Sequence, residues 1–254
     1  MGISIVVANN KGGVSKTTTV CNLAAAFAQM GKKTLVCDAD PQGNATKHLG
    51  FGTHDFKKEM IDVFFEETTP EEVILKTKWE NLYLIPTTID LSTAELKLVP
   101  EVQREVRLKK MIDEVKDDFD IILIDSGPAL GLINLNAIAA ADYVLAPLTA
   151  DIQSVYGLNN ISILTDTVKK RINPNLKILG TFFAMYDKRT SIAREIYEIA
   201  HKFSPNALKT RIRINIDATY ACQQGVHIFE YNPNSNAAKD YLALAKEVLE
   251  NVQA

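Results

Sequence analysis

Asn9-Asn10-Lys11-Gly12-Gly13-Val14-Ser15-Lys16-Thr17-Thr18 is the stretch on which the reading of this 254-residue chain turns. It follows the apolar run Ile3-Ser4-Ile5-Val6-Val7-Ala8, which reads as a strand. It precedes Val20-Cys21-Asn22-Leu23-Ala24-Ala25-Ala26-Phe27-Ala28-Gln29-Met30, which reads as a helix closed by Gly31. Strand, glycine loop, Lys-Thr and helix is the order a phosphate cradle requires. Successive backbone N–H groups and the helix N-terminus face one anion. Lys16 then reaches the β- and γ-phosphates, and the Thr17 hydroxyl ligates Mg²⁺. The segment from Lys11 through Gly12, Gly13, Val14, Ser15, Lys16, Thr17 and Thr18 is the predicted nucleotide-binding loop.

Outward from the loop, strand-like and helix-like segments alternate. Lys33-Thr34-Leu35-Val36-Cys37-Asp38 is a second strand, followed by the loop Ala39-Asp40-Pro41-Gln42-Gly43-Asn44-Ala45-Thr46 and an irregular polar stretch near residues 47–60. Asn81-Leu82-Tyr83-Leu84-Ile85-Pro86 is a short strand stopped by proline. The charged segment from Ser92 to Asp118 reads as helix interrupted at Pro100. Ile121-Ile122-Leu123-Ile124-Asp125 is a continuous apolar run ending in a carboxylate, as in a strand buried on both faces. Residues 141–147 and 177–183 are further strands, and helices fall near 153–171, 190–203 and 236–251. The alternation predicts an α/β fold: a doubly wound, mostly parallel sheet with helices on both faces, built as one domain over residues 1–254.

Composition narrows the classes. At 46% hydrophobic residues the chain can bury a large core, yet no apolar stretch approaches the roughly 20 residues of a membrane span. Met1 is followed almost at once by a strand, which predicts neither a signal peptide nor an N-terminal helix-turn-helix. Cys21, Cys37 and Cys222 are odd in number and lack C-x-x-C spacing, which points to a reducing cytoplasm and away from a metal or cluster site. The net charge of −3 hides an asymmetry. Residues 169–213 hold eleven Lys and Arg against three acidic residues, a net +8, so the rest of the chain carries −11. A basic region on an otherwise acidic protein predicts a confined face for a polyanion.

Both glycine slots of the ordinary P-loop, G-x-x-x-x-G-K-[ST], are changed, to Asn10 and Ser15, and Lys11 precedes Lys16 by five residues. In this the chain resembles the ParA/MinD family of deviant Walker ATPases, whose loop reads K-G-G-x-G-K-T. The likeness continues in Asp38-Ala39-Asp40-Pro41-Gln42-Gly43-Asn44, similar to the family's D-x-D-P-Q-G-N, and in Met185-Tyr186-Asp187-Lys188-Arg189-Thr190, similar to its M-Y-D-x-R-T. It also covers residues 147–158 and 229–241 and is weakest from about 52 to 118. The resemblance implies ATP and Mg²⁺ as ligands and ATP hydrolysis as the activity. It implies catalytic roles for Lys11, Lys16 and Asp40: Lys11 reaching a partner subunit's nucleotide, Asp40 positioning the attacking water. Thr17 and Asp125 become the metal residues. Ser15 stands where the family has glycine; if that position needs φ > 0, a side chain there costs on the order of 1–2 kcal/mol. Asp125-Ser126-Gly127-Pro128 replaces the usual D-x-P-P and predicts a looser loop.

The resemblance is closest to the ParA/Soj-type partition ATPases. It implies an ATP sandwich homodimer that binds double-stranded DNA without sequence preference, a ParB-like partner that stimulates hydrolysis, and a cytoplasmic, nucleoid-associated protein. Arg189 and Arg213 are the preferred DNA contacts, with Lys209 and Arg211 in support; Asp217 lies where some relatives carry another arginine. Other members are membrane-bound, but residues 240–251 have few cations and read as a helix docked on the core, so no membrane is expected. Two further readings stay open: a related ATPase that positions a protein assembly or acts at a membrane as MinD does, and a slow-turnover ATP-gated DNA-binding module.

Overall fold

The computed structural model describes residues 2–203 and 206–253. The first half runs β1 (Ile3–Val7), α1 (Lys16–Gln29), β2 (Thr34–Ala39), α2 (Asn44–His48), α3 (Met60–Phe64), α4 (Pro70–Val73), β3 (Leu75–Lys76), β4 (Leu82–Ile85), a 3₁₀ turn (Ile89–Thr93), α5 (Ala94–Lys97) and α6 (Arg107–Val115). The second half runs β5 (Ile121–Ser126), α7 (Leu132–Ala139), β6 (Tyr143–Leu148), α8 (Ile152–Arg171), β7 (Lys177–Tyr186), α9 (Ser191–Phe203), β8 (Ala207–Arg213), α10 (Ile216–Gln223), α11 (Ile228–Tyr231) and α12 (Asn236–Gln253).

The eight strands form one sheet in the order β3-β4-β2-β5-β1-β6-β7-β8. Every pairing is parallel except β3 with β4. In β5, Ile121 and Leu123 enter the core beneath α1 and α12, while Ile122 and Ile124 enter the core beneath α6, α7 and α8. Both faces of each central strand are covered, so its sequence is apolar throughout instead of alternating. From β1 the chain moves one way along the sheet through α1, and from β5 it moves the other way through α7. The carboxyl end of β1 is therefore the topological switch point, where open α/β sheets bind ligands.

The segment 92–118 breaks at Pro100, as the sequence predicts, into α5 and α6, with Gln103 (φ 56°) also in the non-helical stretch between them. Proline supplies no N–H and the left-handed residue turns the chain, so the helix cannot run through. Residues 207–213 form an edge strand, β8, of which Leu208 and Ile212 are buried. The loop read over residues 39–46 gives way at Asn44 to α2, which runs to His48. The carboxy-terminal helix α12 docks on the core as expected, burying Tyr241, Leu244, Ala245 and Val248.

Candidate nucleotide-binding site

The loop after β1 turns through two left-handed residues, Gly13 (φ 75°) and Ser15 (φ 66°), before α1 starts at Lys16. A Cβ added at Gly12 or Gly13 would meet nothing within 4 Å, so the concave face of the loop is open. Val14 is buried and anchors the loop from behind. The Thr18 carbonyl accepts from Asn22 Nδ2 at 2.7 Å within α1.

Lys16 is only 7% exposed and donates its ammonium to the Lys11 carbonyl at 3.0 Å. Burial holds its pKa below the ordinary lysine value, opposed by the nearby carboxylates of Asp125 and Asp40. Asp125, next to last in β5, lies between Val7 of β1 and Asp38 of β2. Its Oδ2 accepts from Thr17 Oγ1 at 2.7 Å, and its Oδ1 is buried with no hydrogen-bond partner in the structure. Burial first, and Asp38 second, push its carboxyl well above the usual range. A buried carboxylate with an uncommitted oxygen beside a hydroxyl is an oxygen donor set that suits Mg²⁺. A divalent cation there relieves the charge that burial penalises.

Asp40 lies just past β2, nearly buried, with Oδ1 accepting from Gln42 N at 3.0 Å. A Cβ at Gly127 would sit in ordinary contact, 3.4 Å from that same oxygen, so the Ser126-Gly127-Pro128 loop lies directly beside the carboxylate. That loop is not loose. Ser126 Oγ donates to the Val7 carbonyl at 2.8 Å, and Asn134 Nδ2 donates to the carbonyls of Gly127, at 2.7 Å, and Ala129. The hydrogen bonds of Ser126 and Asn134 replace the stiffness of a second proline. Asp38 is fully buried and accepts from Thr46 N at 2.8 Å and Thr46 Oγ1 at 2.7 Å, tying β2 to α2. Burial pushes its carboxyl up to about 7.

Lys16, Thr17, Asp40 and Asp125 thus converge on one loop. The Lys11 side chain does not join them. Its ammonium pairs with Asp151 Oδ2 at 2.7 Å, while its backbone N donates to Asn9 Oδ1 at 2.9 Å. Asp151 also caps α8 by accepting from Gln153 N. The Asn9 amide donates to the carbonyls of Pro147 and Ser154, and Asn10 bonds the Pro128 carbonyl and Asn160. Asn9, Asn134 and Asp151 escape the sequence reading because their partners are remote in the chain.

The basic residues are divided. Arg189, 84% exposed, is forked onto Asp187 at 2.7–3.1 Å, and this pairing pulls the Asp187 carboxyl down to about 2. Arg213 is likewise forked onto Asp240 at 2.6 and 2.9 Å. Arg211 lies between the rings of Tyr186 and Tyr197, 4.9 and 4.0 Å from their centroids. Lys209 is exposed, its backbone N held by Glu247. The side chain of Lys202 lies outside the described residues.

The fold and loop define a P-loop nucleotide-binding protein with an altered first motif. The AAA domain family matches residues 2–178. The chain is 40% identical over 252 residues to the sporulation initiation inhibitor protein Soj of Bacillus subtilis (strain 168), which covers 99% of this chain and 100% of that protein. It is 35% identical over 250 residues to the chromosome partitioning protein ParA of Myxococcus xanthus (strain DK1622), covering 98% and 88%. A crystal structure of cobyrinic acid a,c-diamide synthase from Mycobacterium smegmatis, with bound ATP analog and magnesium, superposes with a TM-score of 0.89 at 29% identity, covering 100% of this chain and 96% of that one. The chain belongs to the ParA/Soj-type partition ATPases of the ParA/MinD family. Among the described residues no helix is long and apolar enough to cross a membrane.

Proposed function

We propose that the chain is an ATP-dependent, dimerising DNA-partition ATPase, working as a single domain over residues 1–254 at the nucleoid in the cytoplasm. It binds duplex DNA without sequence preference as the ATP dimer and releases it when a ParB-like partner stimulates hydrolysis. The observation that carries the reading is the 2.7 Å bond between Thr17, at the start of α1, and Asp125 of β5, beside Lys16 and Asp40 at the carboxyl end of the sheet.

Residues 11–18 hold the phosphates through backbone N–H groups, and Lys16 neutralises charge on the transferred phosphoryl. Thr17 and Asp125 would hold Mg²⁺, which would supply positive charge to neutralise the phosphates. Asp40 orients the attacking water, its position fixed by Gln42 N. Lys11 leaves Asp151 and reaches the phosphates of a second subunit. The DNA face draws on the basic residues of the carboxy-terminal half, for which Arg189, Lys209, Arg211 and Arg213 are the sequence candidates. Arg189 and Arg213 exchange their own carboxylates for phosphate if they take part.

Two substitutions test this. Lys16→Ala is expected to abolish ATP binding. Asp40→Ala is expected to keep it, to slow hydrolysis by about 10²-fold or more, and to remain as a DNA-bound dimer. Light scattering that finds Asp40→Ala monomeric in ATP contradicts the scheme.

A further inference from the structure

Asn9 follows the end of β1 by two residues and is fully buried. Its side chain is committed in three directions. Oδ1 accepts from Lys11 N at 2.9 Å, the bond of an Asx turn, and Nδ2 donates to the carbonyls of Pro147 at 2.9 Å and Ser154 at 3.1 Å. Both amide protons and the oxygen are thereby used, a pattern that asparagine alone among residues of its size supplies. An aspartate there would set an oxygen against two carbonyls. A serine keeps an acceptor for Lys11 N but serves at most one of the carbonyls.

The two carbonyls flank the turn between β6 and α8, and that turn is itself braced. Ser154 Oγ donates to the Asp151 carbonyl at 2.7 Å and accepts from Thr149 N at 3.2 Å. The same turn carries Asp151, whose Oδ2 lies 2.7 Å from the Lys11 ammonium. Lys11 is therefore held at its backbone through Asn9 and at its side-chain tip through Asp151. Gly157, in the second turn of α8, makes this approach possible. A Cβ there would stand 2.1 Å from Asn9 Oδ1, 3.2 Å from Asn9 Cγ and 3.2 Å from Lys11 N. Glycine inside a helix costs stability relative to alanine, and the seat it leaves for the Asn9 amide accounts for its presence. That amide cannot swing aside without breaking its three hydrogen bonds.

We infer that Asn9, seated on Gly157, is a positioning residue for ATP-driven pairing of two subunits: it fixes the backbone from which the Lys11 side chain reaches the partner's phosphates. The inference rests on the reading of Lys11 as the residue that crosses to a second subunit. The Asp151 carboxylate is 45% exposed and exchanges readily for a phosphate, whereas the bonds of Asn9 are buried and stay in place. The ammonium thus moves while its Cα does not. A fixed starting point lowers the conformational entropy that reaching across the interface costs.

The test separates nucleotide binding by one subunit from pairing of two. A fluorescent ADP analogue titrated into the intact protein reads the first. Light scattering across a protein concentration series, with saturating ATPγS and Mg²⁺, reads the second. Asn9→Ala and Gly157→Ala are each expected to bind the ADP analogue with an affinity close to that of the wild type. Each is expected to pair at least about tenfold more weakly, the factor that one lost buried hydrogen bond gives. Asn9→Ser is expected to recover most of the pairing, because it keeps the acceptor for Lys11 N. A staple that merely joined β1 to β6 would leave serine as poor as alanine. Alanine variants that pair like the wild type overturn the inference, as does loss of ADP binding in step with pairing. If Asn9→Ala does not fold, Asn9→Ser decides: pairing near the wild type supports the assignment and loss of pairing overturns it. Failure of the underlying reading is distinct, since Lys11→Ala then pairs like the wild type.

Discussion

Ser15 shows how far a single residue can be read and where reading stops. The sequence marks it as a departure from glycine, and the backbone there is left-handed at φ 66°. Its hydroxyl makes no capping hydrogen bond to α1, so nothing local offsets the conformational cost. Ser15→Gly is therefore expected to stabilise the nucleotide-free protein by about 1 kcal/mol, the left-handed penalty less the extra chain entropy of glycine. For a chain of this size that is a rise in Tm of roughly 2–4 °C, measured by thermal unfolding; an unchanged or lower Tm contradicts it. That Lys16, Thr17, Asp40 and Asp125 come together was legible because each sits at a fixed offset from a strand end. The Lys11–Asp151 pair was not, because its members are 140 positions apart and no local pattern links them.

At the scale of elements, the strands that could be read are those buried on both faces. β1, β2, β5 and β6 are continuous apolar runs for that reason. β8 escaped because an edge strand buries only alternate residues, and Lys209, Arg211 and Arg213 occupy the other positions. Two short helices carry a pH dependence that only their packing reveals. His48 ends α2 and His227 caps α11, accepting from Glu230 N through Nδ1. Burial holds each imidazole down to about 4, whereas in the unfolded chain each titrates near the ordinary 6.5. The unfolded state takes up protons first, so this stability is present above pH 6.5 and is lost as pH falls toward 4. Fully realised, the loss is about 3 kcal/mol for each histidine. Trp79, the single tryptophan, packs against His227 at 4.5 Å and reports the transition by fluorescence. The urea midpoint is expected to fall between pH 7 and pH 5; a flat profile contradicts the assignment.

For the whole molecule, the alternation of strand and helix was enough to predict the doubly wound sheet, and the loop after β1 placed the site at its switch point. The distribution of charge was the part that sequence order obscured. Lysines and arginines that are neighbours in the chain are carried to opposite ends of the sheet by β7, and some are absorbed by Asp187 and Asp240 on the way. Sequence reports how many cations a segment holds; only the fold reports which of them face outward uncommitted. The central claim, that nucleotide state governs DNA binding, is tested most directly with wild-type protein and random-sequence duplex in ATP, ADP or no nucleotide, across a salt series. Binding only with ATP, weakening steeply as salt rises, is the predicted result. Equal binding in all three states, or none with ATP at low salt, would contradict it.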